Sequence, residues 1–356
     1  MGNRSFLAAW SAFALVFFGC SSCGEKRMLA SRTEAFAENG RRNLTLIFTG
    51  DLMQHMPQVF AARQRDGSFD YTSCFSRLNN YFSSADFVIA NLETTLGEEP
   101  YSGYPRFRSP EALAGAMRRA GVDVAVLANN HCCDNGAEGI RTSVEELDRC
   151  GIRHTGAFAD SADYNKNNPL YLTYCGIRLA IVNYTYGTNG MPVPEGTVVN
   201  LIDTVRMAAD LAAARASGVD FIVACVHWGD EYQRRENAAQ RSLAAFLRRH
   251  GTDVVVGSHP HVIQPWVADS SHVVLYSLGN LVSGQRRRYT DGGLVATVEA
   301  VRHPEGRMTY RLETTPVWVS VPGYRILTPE AADTMTLPAA YGIFRADLDA
   351  LPGNGL

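Results

Sequence analysis

The sequence lacks several features that would place it in a common protein class. Only two of its 33 basic residues are lysines, and its net charge of −3 excludes the basic surface typical of nucleic-acid-binding proteins. Its eight cysteines do not have the spacing of a small disulfide-rich domain. No internal repeat is present, and the 46% hydrophobic and 19% charged residues argue against disorder or a multi-span membrane protein. The composition therefore predicts a globular chain with a full core.

Arginine takes the place of lysine nearly everywhere, and two interpretations of this bias are open. It can reflect the base composition of the genome alone. It can also reflect binding of carboxylate or phosphate, to which a guanidinium donates two parallel hydrogen bonds and an ammonium does not. The triplet Arg286, Arg287 and Arg288 is correspondingly either an anion-binding rim or a solvated surface run.

Residues 1–19 have the organisation of a secretory signal peptide. Arg4 precedes an apolar stretch over residues 6–19 that is shorter than the roughly 20 residues a spanning helix needs. Gly19 followed by Cys20 resembles the lipobox of bacterial lipoproteins, which implies a lipid anchor on Cys20 and a polar linker over residues 20–42. The alternative is an ordinary signal peptide cleaved elsewhere. We expect an exported protein, anchored in the membrane of the cell envelope and facing the periplasm or the cell surface.

Short runs of Val, Ile and Leu alternate with amphipathic segments along residues 43–300. The apolar runs predict buried strands at residues 44–49, 87–90, 122–127, 179–182, 221–226, 254–256 and 273–276. Helical spacing predicts helices at residues 109–120, 136–150, 203–217 and 237–250. Such alternation is typical of a layered α/β fold.

Two further expectations concern the strands. Longer alternating runs from about residue 294, such as residues 308–315, predict antiparallel strands, so residues 301–356 are expected to complete or cap the same domain. Cys175 and Cys225 lie in strand-like runs, where cysteine commonly behaves as a small buried hydrophobic residue.

Side chains of the types that bind metals follow strand after strand. In open α/β sheets, sites are built at the carboxyl ends of strands. A single polar residue there is commonly a helix cap or a turn residue, but six successive clusters are hard to assign to turns. The clusters are Asp51 with His55, Asn91 with Glu93, Asn129 to His131 with Asp134, His227 to Glu231, His259 with His261, and Gly279 with Asn280.

The tripeptide His259-Pro260-His261 predicts two imidazoles that face one place. Proline fixes its own φ and disfavours the helical region for the residue before it, so we expect an extended tripeptide. Side chains two residues apart on an extended chain point to the same side. With Asp51, Glu93 and an amide oxygen of Asn130, this donor set fits one or two ions of Zn, Mn or Fe better than Ca or Mg.

Asn130 and His131 are expected to have different roles, because neighbours on a chain seldom face the same site. One would be a ligand, and the other an acid or an electrophile. Asp134 is spaced to orient His131, as ligand and catalytic histidines commonly require.

Together, these motifs resemble the CapA family of bacterial capsule-synthesis proteins, which act in poly-γ-glutamate synthesis. Their order and spacing match over about residues 44–300, at residues 50–53, 90–93, 127–136, 227–232, 257–261 and 276–280. The resemblance implies a four-layer α-β-β-α sandwich of the metallophosphoesterase type, with two packed mixed sheets, helices outside and a small β-rich C-terminal appendage. It also implies two divalent transition-metal ions, of Mn, Fe or Zn.

The resemblance further implies roles for individual residues. His131 would be the general acid, assisted by Asp134, and Glu93 would bridge two ions whose ligands are Asp51, Glu93, Asn130, His227, His259 and His261. Substrate contacts are expected from Asn91, Glu231, Asn280 and Arg286. Phosphoesterases have a histidine two residues after the first aspartate, whereas this chain has Met53 there, and His55 is the nearest replacement.

Two functions from different classes remain open on the sequence. In the first, two ions lower the pKa of a water that attacks a phosphoester or an amide, and His131 protonates the leaving group. In the second, the protein is a non-catalytic component of a capsule export or attachment complex, and its cleft only binds an anionic polymer such as polyglutamate. Both imply capsule-synthesis or export membrane proteins as partners. Because ligands from residues 51 to 280 must converge, we expect one domain over residues 43–300.

Overall fold

The computed structural model describes residues 40–333 and 339–351. The predicted signal peptide, Cys20 and nearly all of the predicted linker lie outside the described residues. The described residues from Arg41 onward form one compact unit. No helix in the described ranges is both long enough and apolar enough to cross a membrane.

The strands form two large sheets and two small ribbons. Sheet A has the order β18-β17-β16-β1-β2-β5-β6, with β15 also paired to β1, and sheet B has the order β13-β14-β12-β11-β9-β8. The ribbons pair β3 with β4 and β7 with β10. The strands are β1 (Arg42–Leu52), β2 (Phe87–Leu92), β3 (Thr95–Gly97), β4 (Arg108–Pro110), β5 (Val124–Val126), β6 (Arg153–Thr155), β7 (Ala157–Phe158), β8 (Leu170–Tyr174), β9 (Ile177–Thr185), β10 (Val198–Val199), β11 (Phe221–His227), β12 (Val254–Ser258), β13 (Trp266–Ala268), β14 (Val273–Leu275), β15 (Asn280–Val282), β16 (Gly292–Arg302), β17 (Met308–Ser320) and β18 (Arg325–Leu327).

The helices lie in the connections between strands. Asp203 and Asn237 cap two of the longer ones, because each side chain accepts a hydrogen bond from a backbone N–H of the first turn. The helices are α1 (Met56–Ala62), α2 (Thr72–Phe75), α3 (Asn79–Phe82), α4 (Ala112–Ala120), α5 (Gly136–Arg149), α6 (Ser161–Asn167), α7 (Thr204–Ala216), α8 (Ala238–Arg249), α9 (Pro329–Asp333) and α10 (Ala339–Asp349).

The two sheets pack face to face, and helices cover their outer faces. Leu46 and Phe48 of β1 share a buried cluster with Ile181 and Val223 of sheet B. Ile47, between them, points to the other face of sheet A, as the two-residue period of a strand requires. That face is covered by α4 and α5, and α7 and α8 cover the outer face of sheet B. The four-layer α-β-β-α sandwich is confirmed.

The predicted strands are all found, and the C-terminal strands complete sheet A. Antiparallel pairing joins β16 to β1 along eight residues, from Arg42 opposite Arg302 to Thr49 opposite Val295, and β17 and β18 follow outward. The parallel half of sheet A thus continues into an antiparallel half. The β-rich C-terminal region is present, as predicted, and it is part of the main sheet.

Two local predictions were wrong. The helix predicted from residue 109 begins at Ala112, because Ser109 lies in β4, where it pairs with Leu96 and its hydroxyl lies 2.6 Å from the Thr94 hydroxyl. Cys175 is exposed, since it forms the turn between β8 and β9 with a φ of 47°. Cys225 is buried in β11, as predicted.

Candidate metal centre

The polar strand-end residues meet where the carboxyl ends of the parallel strands of both sheets come together. Parallel pairing sets Asp51 of β1 opposite Asn91 of β2 and opposite Asn280 of β15. Gly50 permits this approach, because a Cβ there would lie 2.0 Å from the carbonyl oxygen of Gly279. In sheet B the register sets His227, the last residue of β11, opposite Ser258, the last residue of β12. Asp51, Glu93, Asn130, His227, His259 and His261 are all buried.

Two buried carboxylates stand side by side in this cluster. The Asn91 amide donates to Asp51 Oδ1 at 2.8 Å and to Glu93 Oε2 at 3.2 Å, and both carboxylates are fully shielded from solvent. Burial, with the neighbouring charge of Asp51, raises the pKa of Glu93 well above its ordinary value. Like charges buried this closely require cations or protons to be stable.

The histidines from sheet B surround Glu93. His227 Nε2 lies 3.6 Å and His261 Nε2 lies 3.7 Å from Glu93 Oε1. Burial lowers the pKa of His227 well below its ordinary value and that of His259 to about 3, and neighbouring imidazoles add to both effects. These two rings are therefore neutral at neutral pH, which is the form that binds metals.

Two buried atoms in the centre have no hydrogen-bond partner: Glu93 Oε1 and His259 Nδ1. Buried polar atoms are nearly always paired, so such atoms point to a missing partner such as an ion. Glu93 belongs to two ligand sets, one with His227 and His259 and one with Asp51 and His261. Within each set, the ligand atoms lie within 4.8 Å of one another. The carboxylate and imidazole donors fit divalent transition metals.

Hydrogen bonds from neighbouring residues orient the histidines. His227 Nδ1 lies 2.9 Å from the Ser258 hydroxyl, and its Nε2 lies 2.8 Å from Asn130 Oδ1. His261 Nδ1 lies 3.0 Å from Asp51 Oδ2 and 3.2 Å from Asn280 Oδ1. Such contacts fix ring orientation around a metal.

The segment His259-Pro260-His261 is not extended, which corrects the sequence prediction. His259 has a φ of 100° and His261 a φ of 57°, so the backbone turns sharply at both residues. Tertiary contacts hold this conformation, because the His259 N–H faces Asp51 Oδ2 at 3.3 Å and the Pro260 carbonyl accepts from the Tyr232 N–H at 2.8 Å. The two rings still converge, with centroids 6.0 Å apart.

Asn130 and His131 face different groups. Asn130 contacts His227, whereas His131 Nδ1 lies 2.7 Å from Asp134 Oδ2. The same Asp134 oxygen accepts from the backbone N–H of Phe107 at 2.7 Å, which holds the carboxylate in place. The edge-to-face contact of His131 with the Phe107 ring, at 4.6 Å between centroids, restrains the imidazole further.

A cleft of about 580 Å³ opens in front of these residues. Of the predicted site residues, it is lined by His131, Asp134, Asn130, His261 and Glu231. Its other lining residues include Tyr104, Arg106, Phe107, Asn189 and Tyr232. Tyr232 follows Glu231 in a recognised motif. The other four lie in loops that do not directly follow a predicted strand, so no sequence pattern indicated that they line the cleft.

Three predicted substrate contacts lie outside the cleft lining. Asn91 and Asn280 are buried, and their side chains contact Asp51 and His261. The Arg286 guanidinium lies over the Tyr324 ring, 5.1 Å from its centroid. Only Glu231, of the four predicted substrate contacts, lines the cleft.

His55 does not replace the histidine missing after Asp51. Its Nδ1 accepts a hydrogen bond from the Gly284 N–H at 3.1 Å, and its ring packs edge-to-face on Phe107. Burial lowers the pKa of His55 to about 4. Among the described residues, none of the ligand sets around Glu93 includes it.

Comparison with known proteins decides the family. The family model described as "Bacterial capsule synthesis protein PGA_cap" matches residues 45–285. The chain belongs to this family. The resemblance to CapA proteins stated from the motifs is thereby confirmed.

Two relatives show how far the similarity extends. This chain is 28% identical over 281 residues to the capsule biosynthesis protein CapA of Bacillus anthracis, covering 74% of this chain and 66% of that protein. It is 26% identical over 282 residues to the PGA biosynthesis protein CapA of Bacillus subtilis (strain 168), covering 77% and 71%. The chain thus spans just under two thirds of the length of the first relative.

Among solved structures, a phosphatase of Mycoplasma pneumoniae is similar to this chain at 12% identity and a TM-score of 0.49, covering 82% of this chain and 97% of that one.

Proposed function

We propose that this protein is an exported, lipid-anchored hydrolase of capsule or poly-γ-glutamate synthesis that depends on two divalent transition-metal ions. The observation that carries the proposal is Glu93, a fully buried carboxylate that belongs to two ligand sets and has one oxygen without a hydrogen-bond partner. A shared carboxylate of this kind is typical of a two-metal site.

The donor sets divide the ligands between two ions. Asp51, Glu93 and His261 would hold one ion. Asn130, His227 and His259, with the shared Glu93, would hold the other, since Asn130 Oδ1 lies beside His227 Nε2. When bound, such ions polarise substrate oxygens and lower the pKa of water, so that a nucleophile is available at neutral pH.

His131 is the proton donor to the leaving group in this proposal. Its Nδ1 faces Asp134, so its other ring nitrogen, Nε2, is left to hold and release a proton. The Phe107 N–H keeps Asp134 in position, and His131 itself lines the cleft. Asn91 and Asn280 act as positioning residues behind the ligands.

The substrate is an anionic polymer of the polyglutamate kind or a phosphoester. Exposed Arg106 lines the cleft, and the Arg287 guanidinium lies 4.3 Å from the centroid of the Tyr232 ring, which also lines it. We therefore assign Arg106 and Arg287 to anion binding at the cleft mouth.

Export and anchoring rest on residues 1–20 of the sequence. We propose that Cys20 carries the lipid and that the domain works at the cell envelope beside capsule-synthesis or export membrane proteins. Replacing Cys20 with alanine should move the protein from the membrane fraction to the soluble fraction of the envelope. Unchanged fractionation would contradict the anchor.

The enzymatic proposal is tested with the purified full-length protein, loaded with Mn²⁺, Fe²⁺ or Zn²⁺. Bound metal is counted, and hydrolysis of a phosphodiester, a phosphomonoester and polyglutamate is assayed. We expect Glu93→Ala to lose metal and activity, and His131→Ala to lose activity alone. His250→Ala, at an exposed position outside the site, serves as the matched control.

The outcome also separates this proposal from the non-catalytic alternative. If the metal-loaded protein binds polyglutamate and hydrolyses none of the three substrates, the protein is a polymer-binding component. A protein that holds no transition metal under any loading condition contradicts the metal centre itself.

A further inference from the structure

Glu231 places a third carboxylate at the proposed metal centre, on the side that opens into the cleft. Its ligand oxygen and one ring nitrogen from each of His259 and His261 lie within 4.8 Å of one another. Unlike Asp51 and Glu93, Glu231 is exposed and lines the cleft, so it approaches the two imidazoles from the solvent side.

The loop that carries Glu231 is tied to the histidine segment. The Tyr232 N–H donates to the carbonyl of Pro260, the residue between the two histidines. The Gln264 amide donates to the Gln233 carbonyl at 2.8 Å, and the Arg287 guanidinium covers the Tyr232 ring. These contacts hold Glu231 beside His259 and His261 through the two residues that follow it.

The neighbouring carboxylate is engaged elsewhere. Asp230 Oδ2 accepts a hydrogen bond from the Asn237 amide at 2.7 Å, at the start of α8. Asp230 appears in none of the ligand sets found among the described residues, whereas Glu231 does. Two adjacent acidic residues therefore differ in what they face.

The donor count leaves one position open. The ion beside His227 has a fourth donor in Asn130, whereas the set of Asp51, Glu93 and His261 has three. Divalent transition metals in proteins commonly take four or more ligands. His55 is in none of the ligand sets found among the described residues, and its Nδ1 is bonded to the Gly284 N–H.

A second observation points to a ligand at this place. His259, which is 4% exposed, has its Nδ1 without any hydrogen-bond partner although Glu231 lies nearby. Two adjacent ions, one beside His227 and one beside His261, would satisfy the His259 imidazole and the Glu231 carboxylate.

We propose that Glu231 is a metal ligand, which completes the coordination of the ion beside His261 from the cleft side. The inference rests on the proposed metal centre and adds a ligand to it. Three carboxylates around two divalent ions make a harder donor set, which favours Mn²⁺ or Fe²⁺ over Zn²⁺. Glu231 then holds the ion and is not a substrate contact.

The test uses full-length protein stripped with EDTA and reloaded with Mn²⁺, and separately with Co²⁺. Metal content is measured after desalting, affinity by calorimetric titration, and ligand geometry by the visible spectrum of Co²⁺. Asp230→Asn is the matched control, because it removes an adjacent negative charge without removing a ligand.

We expect two ions per chain in the wild type and in Asp230→Asn. Glu231→Gln should retain one ion at wild-type affinity and bind the second on the order of 100-fold more weakly, with an altered Co²⁺ spectrum. Glu231→His, which keeps a donor atom, should recover part of the lost affinity.

Wild-type affinity for both ions in Glu231→Gln would overturn the assignment. An equal loss of affinity for the second ion in Asp230→Asn would also overturn the assignment. The effect would then come from removal of nearby negative charge, not from loss of a ligand. If both ions bind as expected and no substrate is hydrolysed, the hydrolase proposal fails and Glu231 remains a ligand. A wild type that binds no ion overturns both.

Discussion

The two sheets bring different chemistry to the same place. Sheet A supplies oxygen donors: Asp51 from the end of β1, Glu93 just after β2 and Asn130 after β5. Sheet B supplies all the nitrogen donors, which are His227 at the end of β11 and His259 and His261 just after β12. The loop after β11 adds one oxygen donor, the proposed ligand Glu231. The candidate centre lies where the two edges meet, so neither sheet contains a complete donor set.

The difference also concerns charge. The oxygen side buries two carboxylates, and burial raises the pKa of Glu93, whereas the nitrogen side is held neutral at His227 and His259 by burial. Without metal, the unfavourable free energy of burying charge therefore comes from the carboxylates of sheet A. Bound ions would join the two sheets at one end of the buried cluster that contains Phe48 and Ile181.

The largest effect on metal binding is expected for Glu93→Gln, because this substitution removes the donor that both ligand sets share. We expect the variant to bind no ion tightly. It should also lack the metal-dependent stabilisation of the wild type, which is about 2.7 kcal/mol at a metal concentration of 100 times Kd. In metal-free protein, relief of a buried and unsatisfied carboxylate should stabilise the variant by about 1–3 kcal/mol. Thermal unfolding with and without metal measures both effects.

The pH dependence of the stability of the metal-free protein tests whether the Glu93 carboxylate is destabilising when it is buried and charged. Because its pKa is raised in the folded state, the protonated carboxyl contributes stability below its unfolded pKa of about 4.3. That contribution is lost as pH rises through the folded pKa. The free energy of unfolding of metal-free wild type should therefore fall as pH rises from the unfolded pKa of Glu93 through its raised folded pKa. The fall should be smaller in Glu93→Gln. Parallel curves would contradict the buried-charge argument.

The next largest effect is expected at Asp134, which belongs to sheet A's side of the site but to neither ligand set around Glu93. Asp134→Asn removes the charge that faces His131 Nδ1, so it should reduce kcat on the order of 100-fold with metal content unchanged. Steady-state kinetics on whichever of the three assayed substrates the wild type hydrolyses, with metal analysis of the same sample, tests this. Loss of an ion would show that Asp134 supports the metal centre as well.

The sequence predicted the strands and the residues at their ends because both depend on local patterns. Buried parallel strands are short apolar runs, and the polar residues that follow them are visible without tertiary information. Asp51, Glu93 and His227 could be placed in one cluster for this reason, since the edge of a layered α/β fold brings strand ends together.

What the sequence could not predict depends on contacts between distant segments. The backbone at His259 and His261 is held by Asp51 and Tyr232, so local proline rules gave the wrong conformation there. Asn280 was expected at the substrate, but its partner His261 lies 19 residues earlier in the chain. The cleft wall at residues 104–107 has no periodic signal, and only packing beside His131 brings it to the site.

Two matched substitutions test whether the two ion positions depend on separate orienting contacts, and their effects on metal affinity should be smaller. Ser258→Ala removes a partner of His227, and Asn280→Ala removes a partner of His261. Loss of such an orienting contact costs about 10–100-fold in metal affinity. We expect each variant to lower the affinity for the ion beside its own histidine, as measured by titration with Mn²⁺. If both variants lowered the affinity for both ions equally, the two ion positions would be coupled.

The smallest effect is expected at His55, the one histidine that sheet A carries close to the cleft after β1. His55→Ala should leave two ions bound at wild-type affinity, because the imidazole is bonded to the Gly284 N–H and packs on Phe107. Stability should fall by about 1 kcal/mol through loss of that hydrogen bond. Metal analysis and thermal unfolding check both parts. If one ion were lost instead, His55 would have to turn inward on metal binding. Sheet A would then supply nitrogen as well as oxygen donors, so the nitrogen donors would no longer come from sheet B alone.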